Sequence, residues 1–294
     1  MMSEKIKILL YYKYVPIAHP KKLRNEQFNV CTRLGIKGRI IIATEGINGT
    51  IAGDSQAIDT YIEQTKSLPE FTDIEWKISF SEEQVFPKLK VRVRDEIVTL
   101  GIKKTGVDVS LSNKAHYIEP KELASLYENN QDFVILDARN AYEAKIGKFK
   151  DAIIPPIRNF REFPQFVNSK LSKYKNKPVI TYCTGGVRCE KASAYLREQG
   201  FTNVKQLHGG VHVYAQEAQG KYFEGELFVF DKRLQTQINT VNPTIIAQCE
   251  HCNTPITRLI DCCDASCDSL LNCCASCEEM NGGGCLQHKN SNCN

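Results

Sequence analysis

The sequence predicts an α/β protein made of two differently wired sheets and a small cysteine-rich segment. Three observations carry this reading. Strand and helix signals run β-α-β-β-α-β over residues 6–80, short apolar strands alternate with helices over 116–225, and ten of the thirteen cysteines lie beyond residue 248. A chain of 294 residues is long for a single core and suits two or three domains. We expect a ferredoxin-like domain over 1–112, a parallel-sheet domain over 113–225 and a cysteine-rich segment over 226–294.

In the first part, "IKILLYYKYVPI" is an apolar, aromatic-rich strand, and "PKKLRNEQFNVCTRLG" places Leu23, Phe28, Val30 and Leu34 at helical spacing before a glycine stop. "GRIIIATE" and "GTIAG" read as two strands joined by a "GIN" turn. "DSQAIDTYIEQTKSL" is a helix capped by Asp54 or Ser55, and "DIEWKISF" is a closing strand. "PKLKVRVRDEIVTLG" follows, with Lys88, Lys90, Arg92 and Arg94 alternating with Leu89, Val91 and Val93. On a strand this period puts the cations on one face, where they suit a phosphate backbone or protect a sheet edge.

The second part has the continuous apolar strands "DFVILDAR", "KPVITYC" and "NVKQL", with helices "PKELASLYENN", "FREFPQFVNSKLSKY" and "CEKASAYLREQG" between them. Such strands belong to a parallel sheet covered on both sides, and functional groups gather where its strands end and its helices begin. The third part opens with "YFEGELFVFDKRL" and has too little apolar content to bury a core without cross-links or metal.

The net charge of +4 does not by itself demand a polyanionic partner. It is uneven, however: residues 1–50 hold nine Lys or Arg against three Glu, and residues 250–294 hold two basic and six acidic residues, so a polyanion site belongs near the front. "MMSEKIKILLYYKYVPI" lacks a signal-peptide pattern and no later run suits a bilayer span, so we expect a cytoplasmic chain with no membrane partner. In a reducing compartment the clustered cysteines suit metal before disulfides. Cys249, Cys252, Cys263 and Cys267 form one candidate thiolate set for structural zinc, and Cys274 and Cys277, with Cys285, begin another. The adjacent pairs Cys262/Cys263 and Cys273/Cys274 leave that assignment open.

The stretch "TYCTGGVRCEKA" holds the sharpest chemical signal. If "PVITYC" is a central strand and "CEKASAYLREQG" the following helix, then Thr184, Gly185, Gly186, Val187 and Arg188 must turn tightly around Cys183. Converging backbone N–H groups and a helix N-terminus favour the thiolate, the reactive form of cysteine. Arg188 adds a fixed cation. Protein tyrosine phosphatases place five residues between their cysteine and arginine; here there are four, a smaller ring suited to a small group on sulfur.

"DAR" at 137–139, "YEAKIGKFKDAIIPP" at 142–156, "YCTGGVRC" at 182–189 and "LHGGVHVY" at 207–214 together resemble a rhodanese domain. With "GRIIIATEGINGTIAG" ahead of it and the cysteine-rich tail behind, the whole chain resembles the rhodanese-domain tRNA uridine hydroxylase family. The resemblance implies oxygen-dependent formation of 5-hydroxyuridine at wobble position 34 of tRNA, with Cys183 as the essential thiol and molecular oxygen as co-substrate. It makes Asp137 and Arg139 supports of the loop and leaves His208 structural. Cys189 stands where many rhodaneses have serine, and could resolve an oxidised Cys183 or begin the helix. Tyr182 and Arg188 are candidate contacts to the base or its phosphate. The sequence shows no dinucleotide-binding glycine fingerprint and no two-histidine-one-carboxylate pattern, so no flavin or nicotinamide is expected. A cysteine adding to C6 of uracil and a transiently oxidised sulfur both remain open. The alternative is a sulfurtransferase that carries a Cys183 persulfide.

Overall fold

The computed structural model describes residues 5–101, 115–264, 266–267 and 269–288. The expected joint at 112/113 lies outside them. Among the described residues no helix is long and apolar enough to cross a membrane.

The front part contains β1 (Ile6–Tyr14), α1 (Pro20–Arg33), β2 (Lys37–Ala43), β3 (Gly46–Gly53), α2 (Ser55–Lys66), β4 (Glu75–Ser81) and β5 (Leu89–Val93). The sheet order β4-β1-β3-β2 is the ferredoxin-like arrangement, and β5 adds a fifth strand parallel to β2 at the edge. The "GIN" residues lie in β3, and the turn is at Thr44 and Glu45. Gly46 explains the difference: its φ is +148°, and a Cβ there would lie 2.0 Å from the Lys13 carbonyl oxygen across the pair with β1. Close strand approach, not turn geometry, requires that glycine.

Alternation sends Leu9, Tyr11, Ile40, Ile51 and Val91 to one face, where they join Leu23, Cys31, Ile58 and Tyr61 of the helices in a buried core. Each such Leu, Ile or Val side chain contributes about 1.5–3 kcal/mol by leaving water. The opposite face carries Leu10, Tyr12 and Tyr14 of β1, and it meets the second part of the chain.

That second part contains β6 (His116–Ile118), α3 (Pro120–Glu128), β7 (Val134–Asp137), α4 (Ala141–Ala144), β8 (Gly147–Phe149), α5 (Phe163–Lys170), β9 (Pro178–Tyr182), α6 (Val187–Glu198), β10 (Asn203–Leu207) and α7 (Gly210–Glu217). Strands β6-β10-β9-β7 pair in parallel throughout. Buried clusters line both faces of this sheet, one with Phe163, Val167 and Leu196 and the other with Leu123, Phe149 and Tyr214. The C-terminal end of β9 therefore points its loop into the centre of the molecule.

Short strands follow: β11 (Phe223–Gly225), paired to β8, then β12 (Leu227–Phe228), β13 (Gln235–Thr236), and the hairpin β14 (Leu259–Asp261) with β15 (Leu270–Asn272), before α8 (Ala275–Asn281). The buried cluster of the tail consists of Leu271 and five cysteines, too little apolar surface to hold it alone.

Candidate active site

Cys183 directly follows β9, and α6 begins four residues later at Val187. Gly186 caps that helix at a φ of +99° and donates its N–H to Cys183 Sγ at 3.1 Å. The loop is also held from behind. The N–H groups of Val211 and His212, opening α7, donate to the carbonyls of Cys183 and Thr184 at 2.9 and 3.0 Å. Gly210 makes this approach possible, because a Cβ there would lie 2.5 Å from the Cys183 carbonyl oxygen and 2.8 Å from the Gly186 nitrogen. The "HGG" of the sequence thus shapes the loop from behind.

Cys183 has no exposed surface. Burial by itself pushes the thiol up. The Cys189 thiol hydrogen bond, the Arg188 charge and the backbone N–H groups of Arg188 and Gly186 outweigh it and bring Cys183 down to about 6. Cys189, also fully buried, is pushed the opposite way by its own burial and by Cys183, so it stays a neutral donor. The two thiols are thus pushed in opposite directions, Cys183 down and Cys189 up.

Arg188 does not aim at a substrate. Its Nη1 and Nη2 donate to Glu143 Oε1 and Oε2 at 2.5 and 2.8 Å, and its Nη2 lies 3.5 Å from Thr184 Oγ1. Burial works against the guanidinium charge, and Glu143 keeps it charged. The charge acts on Cys183 through space while the fork is occupied. Glu143 is fully buried on α4, and its Oε1 also accepts from the Asn140 backbone N–H at 3.0 Å.

Asp137 and Arg139 form a buried pair, with Arg139 Nη2 at 2.7 Å from Asp137 Oδ2 and also donating to the Gly147 carbonyl at 2.7 Å. Tyr182 donates to Asp137 Oδ2 at 2.6 Å and has no exposed surface, so it is a brace at the end of β9 and faces no base. His208 bridges Glu119 and Glu75 at 3.0 and 3.1 Å, tying the second part to β4 of the front sheet.

The front sheet closes over the loop. Leu10 sits where a Cβ on Gly185 would come within 2.7 Å of it, and Tyr12 sits 2.9 Å from the equivalent point on Gly186. Tyr12 and Tyr14 donate to Glu190 Oε1 and the Val187 carbonyl, each at 3.1 Å. Lys191, fully buried, reaches Glu45, Glu96 and the Val98 carbonyl at 2.8, 2.7 and 2.9 Å. Nothing in the spacing of "CEKASAY" marked Lys191 as a link between the two parts. Glu143, Tyr12 and Lys191 act through partners 45 to 178 residues away, and local periodicity does not register such partners.

Beside Thr184 a cavity of about 240 Å³ opens between sheet, loop and tail. Leu10, Thr50, Phe80, His212, Phe230 and Arg233 line it. Phe80 and Phe230 are 53 % and 39 % exposed, which leaves aromatic faces at its rim.

Register links this cavity to the basic strand. Leu10 pairs with Thr50, Thr50 with Arg39 and Arg39 with Lys90, while Tyr12, Asn48, Ile41 and Arg92 make the next row. Lys88, Lys90 and Arg92 therefore share a face with Leu10 and Thr50, roughly 15 Å away across three strand spacings. Lys37 and Arg39 join them, two cations the alternation argument passed over because they lie on a neighbouring strand. Lys88, then Arg92 and Arg39, crowd Lys90 enough to lower its pKa. Arg94 is exposed just beyond β5.

In the tail, Cys249 and Cys252 converge with Cys274 and Cys277, and Cys262 and Cys267 converge with Cys285 and His288. Among the described residues Cys263 is in neither set, and Cys249 and Cys252 converge with Cys274 and Cys277 in place of Cys263 and Cys267.

A parallel sheet whose central strand delivers a buried, activated cysteine into a glycine loop defines a cysteine-dependent enzyme of the rhodanese class. Residues 119–217 match the rhodanese-like domain, residues 6–97 the UPF0176 acylphosphatase like domain, and residues 224–294 the rhodanase C-terminal domain. Over 275 residues the chain is 42 % identical to the tRNA uridine(34) hydroxylases of Streptococcus sanguinis (strain SK36) and Streptococcus uberis, covering 92 % of this chain and 84 % of each relative. This chain belongs to the tRNA uridine(34) hydroxylase family.

Proposed function

We propose that this enzyme hydroxylates C5 of uridine 34 in tRNA with Cys183 as the catalytic thiolate. The observation that carries the reading is a fully buried cysteine lowered to about 6, beside a cavity whose Leu10 and Thr50 share a sheet face with Arg39 and Lys90. The thiolate adds to C6 of the uracil, and the C5=C6 electron pair moves onto C5. C5 then takes one oxygen atom from dioxygen; the other leaves as water with two electrons and two protons from a reductant. Loss of the C5 proton expels Cys183 and restores the double bond. Cys189 holds the thiolate ready by donating its S–H, and Arg188, fixed by Glu143, supplies the positive field.

The division of labour follows the three parts. The front part, placed at 1–112, holds the anticodon arm through Lys88, Lys90, Arg92 and Arg94, with Lys37 and Arg39 on the same face. A wobble base turned out of its stack enters between Phe80 and Phe230, where aromatic faces suit a splayed nucleobase. The part placed at 113–225 does the chemistry. The part from 226 onward closes the cavity wall through Phe230 and Arg233, and its thiolates suit structural zinc. A persulfide-carrying sulfurtransferase is not favoured, because the relatives named for hydroxylation match the front and tail parts as well as the rhodanese part.

The test is nucleoside mass spectrometry of tRNA from cells lacking this protein, complemented with wild type or with Cys183→Ser. Restoration of 5-hydroxyuridine derivatives by wild type alone supports the reading. Equal restoration by both chains overturns the role of Cys183, and no loss in the deletion overturns the activity.

A further inference from the structure

We propose that the tail binds two separate zinc-class ions in a crossed arrangement, Cys249, Cys252, Cys274 and Cys277 holding one and Cys262, Cys267, Cys285 and His288 the other. This is independent of the hydroxylation chemistry and replaces the sequential ligand sets expected from spacing with a crossed pairing.

The donor geometry carries it. Within each set the four ligand atoms all lie within 4.8 Å of one another. Cys252 Sγ and Cys274 Sγ are 3.7 Å apart, and Cys267 Sγ and Cys285 Sγ are 3.9 Å apart. A tetrahedron with zinc–sulfur bonds of about 2.3 Å has edges of about 3.8 Å. A disulfide would need about 2.05 Å, so these sulfurs stand at ligand spacing and not at bonding distance. His288 Nδ1 lies 3.2 and 3.7 Å from the sulfurs of Cys285 and Cys262, on either side of the roughly 3.5 Å expected for a mixed nitrogen–sulfur edge.

The surroundings are those of ligands and not of idle thiols. The Cys274 N–H points at Cys249 Sγ at 3.5 Å and the Cys285 N–H at Cys262 Sγ at 3.4 Å, the backbone support that bound thiolates use. The far nitrogen of His288 has the Asp264 carboxylate 3.9 Å away, which favours coordination through Nδ1.

Topology makes the sites two and makes them interdependent. In the β14–β15 hairpin, Leu259 pairs with Asn272 and Asp261 with Leu270. Cys262 leaves the hairpin at one end and Cys273 and Cys274 leave it at the other, roughly 14 Å apart over four strand steps. Ligand pairs one and three meet at one end, and pairs two and four at the other. Each ion therefore clamps one end of a hairpin that has almost no apolar core of its own. The clamped unit rests on α4 and the two residues after it, through Lys145 to Glu250 at 2.9 Å and through Tyr142 and Ile146 packed with Ala247, Leu259 and Leu270. Through α4 it backs Glu143, the residue that holds Arg188.

The experiment is metal analysis by plasma emission on the full chain purified without chelator. Two ions per chain are expected, falling to one in Cys252→Ser and to one in His288→Ala, and staying at two in Cys263→Ser. If a single-site variant fails to fold, cobalt titration of the chelator-stripped wild type gives the count independently, with thiolate-to-cobalt absorption saturating at two equivalents. One ion in the wild type, saturation at one equivalent, or unchanged content in His288→Ala overturns the crossed assignment. An ion-free chain that melts at the same temperature with and without chelator overturns metal binding altogether.

Discussion

Removing the Cys189 S–H should move the Cys183 titration upward by one to two units. Cys189 is the largest of the influences that lower Cys183, and it stays neutral because its own burial and the neighbouring thiolate push it up. A hydrogen bond to a charged group in a dry site is worth about 1.5–3 kcal/mol. At about 1.4 kcal/mol per unit, Cys189→Ala lifts Cys183 from about 6 to about 7–8. Cys189→Ser keeps a donor and should move it by less than half as much. The assay is the ultraviolet thiolate absorbance of each variant minus that of its Cys183→Ser counterpart, followed from pH 4 to 10, with the single-turnover rate measured in parallel. Both curves should rise through the same midpoint if the thiolate is the reacting form of Cys183, as proposed. The depressed folded-state pKa also implies stability that is present above the unfolded cysteine value and lost as pH falls through about 6. A midpoint unchanged in Cys189→Ala would refute the thiol-to-thiolate account and leave the loop N–H groups and Arg188 as its causes.

Four further outcomes are expected. Glu143→Gln strands the buried Arg188 and should cost about 3–5 kcal/mol, roughly 10 °C in a calorimetric melt; a shift under 2 °C would show that Arg188 finds another partner. Gly210→Ala, at a φ of +65° and with its Cβ 2.5 Å from the Cys183 carbonyl, should displace the loop and lower kcat/KM by about 100-fold while tRNA affinity holds. Replacing Lys90 and Arg92 together by Ala should weaken tRNA binding and flatten its salt dependence by about 1.5 in log–log slope, read by filter binding across a salt series. His208 is raised above its usual value by Glu119 and Glu75 in spite of burial, so its contribution is complete below the unfolded value near 6.5 and is lost as pH rises through the folded one. Urea midpoints should therefore fall from pH 6 to pH 8 more for wild type than for His208→Gln.

Short-range signals made much of this molecule legible before folding. Apolar runs, helical spacing and cap residues located β1, α1, α2, β7, β9 and α6, because those signals depend on neighbours within a few residues. The cysteine, two glycines and arginine at 183–188 announced an activated thiol for the same reason: a tight turn before a helix leaves the backbone few options. "GIN" misled because a glycine serves close strand approach as readily as a turn, and only the pairing of β1 with β3 tells which.

What the tertiary structure alone decided depends on partners far apart in the chain. Arg188 reads as a substrate contact until α4 brings Glu143 against it. Tyr182 reads as a base contact until Asp137 takes its hydroxyl. Lys90 comes to share a face with the cavity's Leu10 and Thr50 only through the register of four strands, and Cys262 takes the place expected of Cys263 only because the hairpin turns one of two adjacent cysteines toward Cys285 and His288. The sequence by itself determined which chemistry was on hand: a thiolate-forming loop, a basic strand and a thiolate-rich tail. Three-dimensional pairing determined which group faces which, because side-chain direction alternates every residue on a strand and a single step of register reverses it.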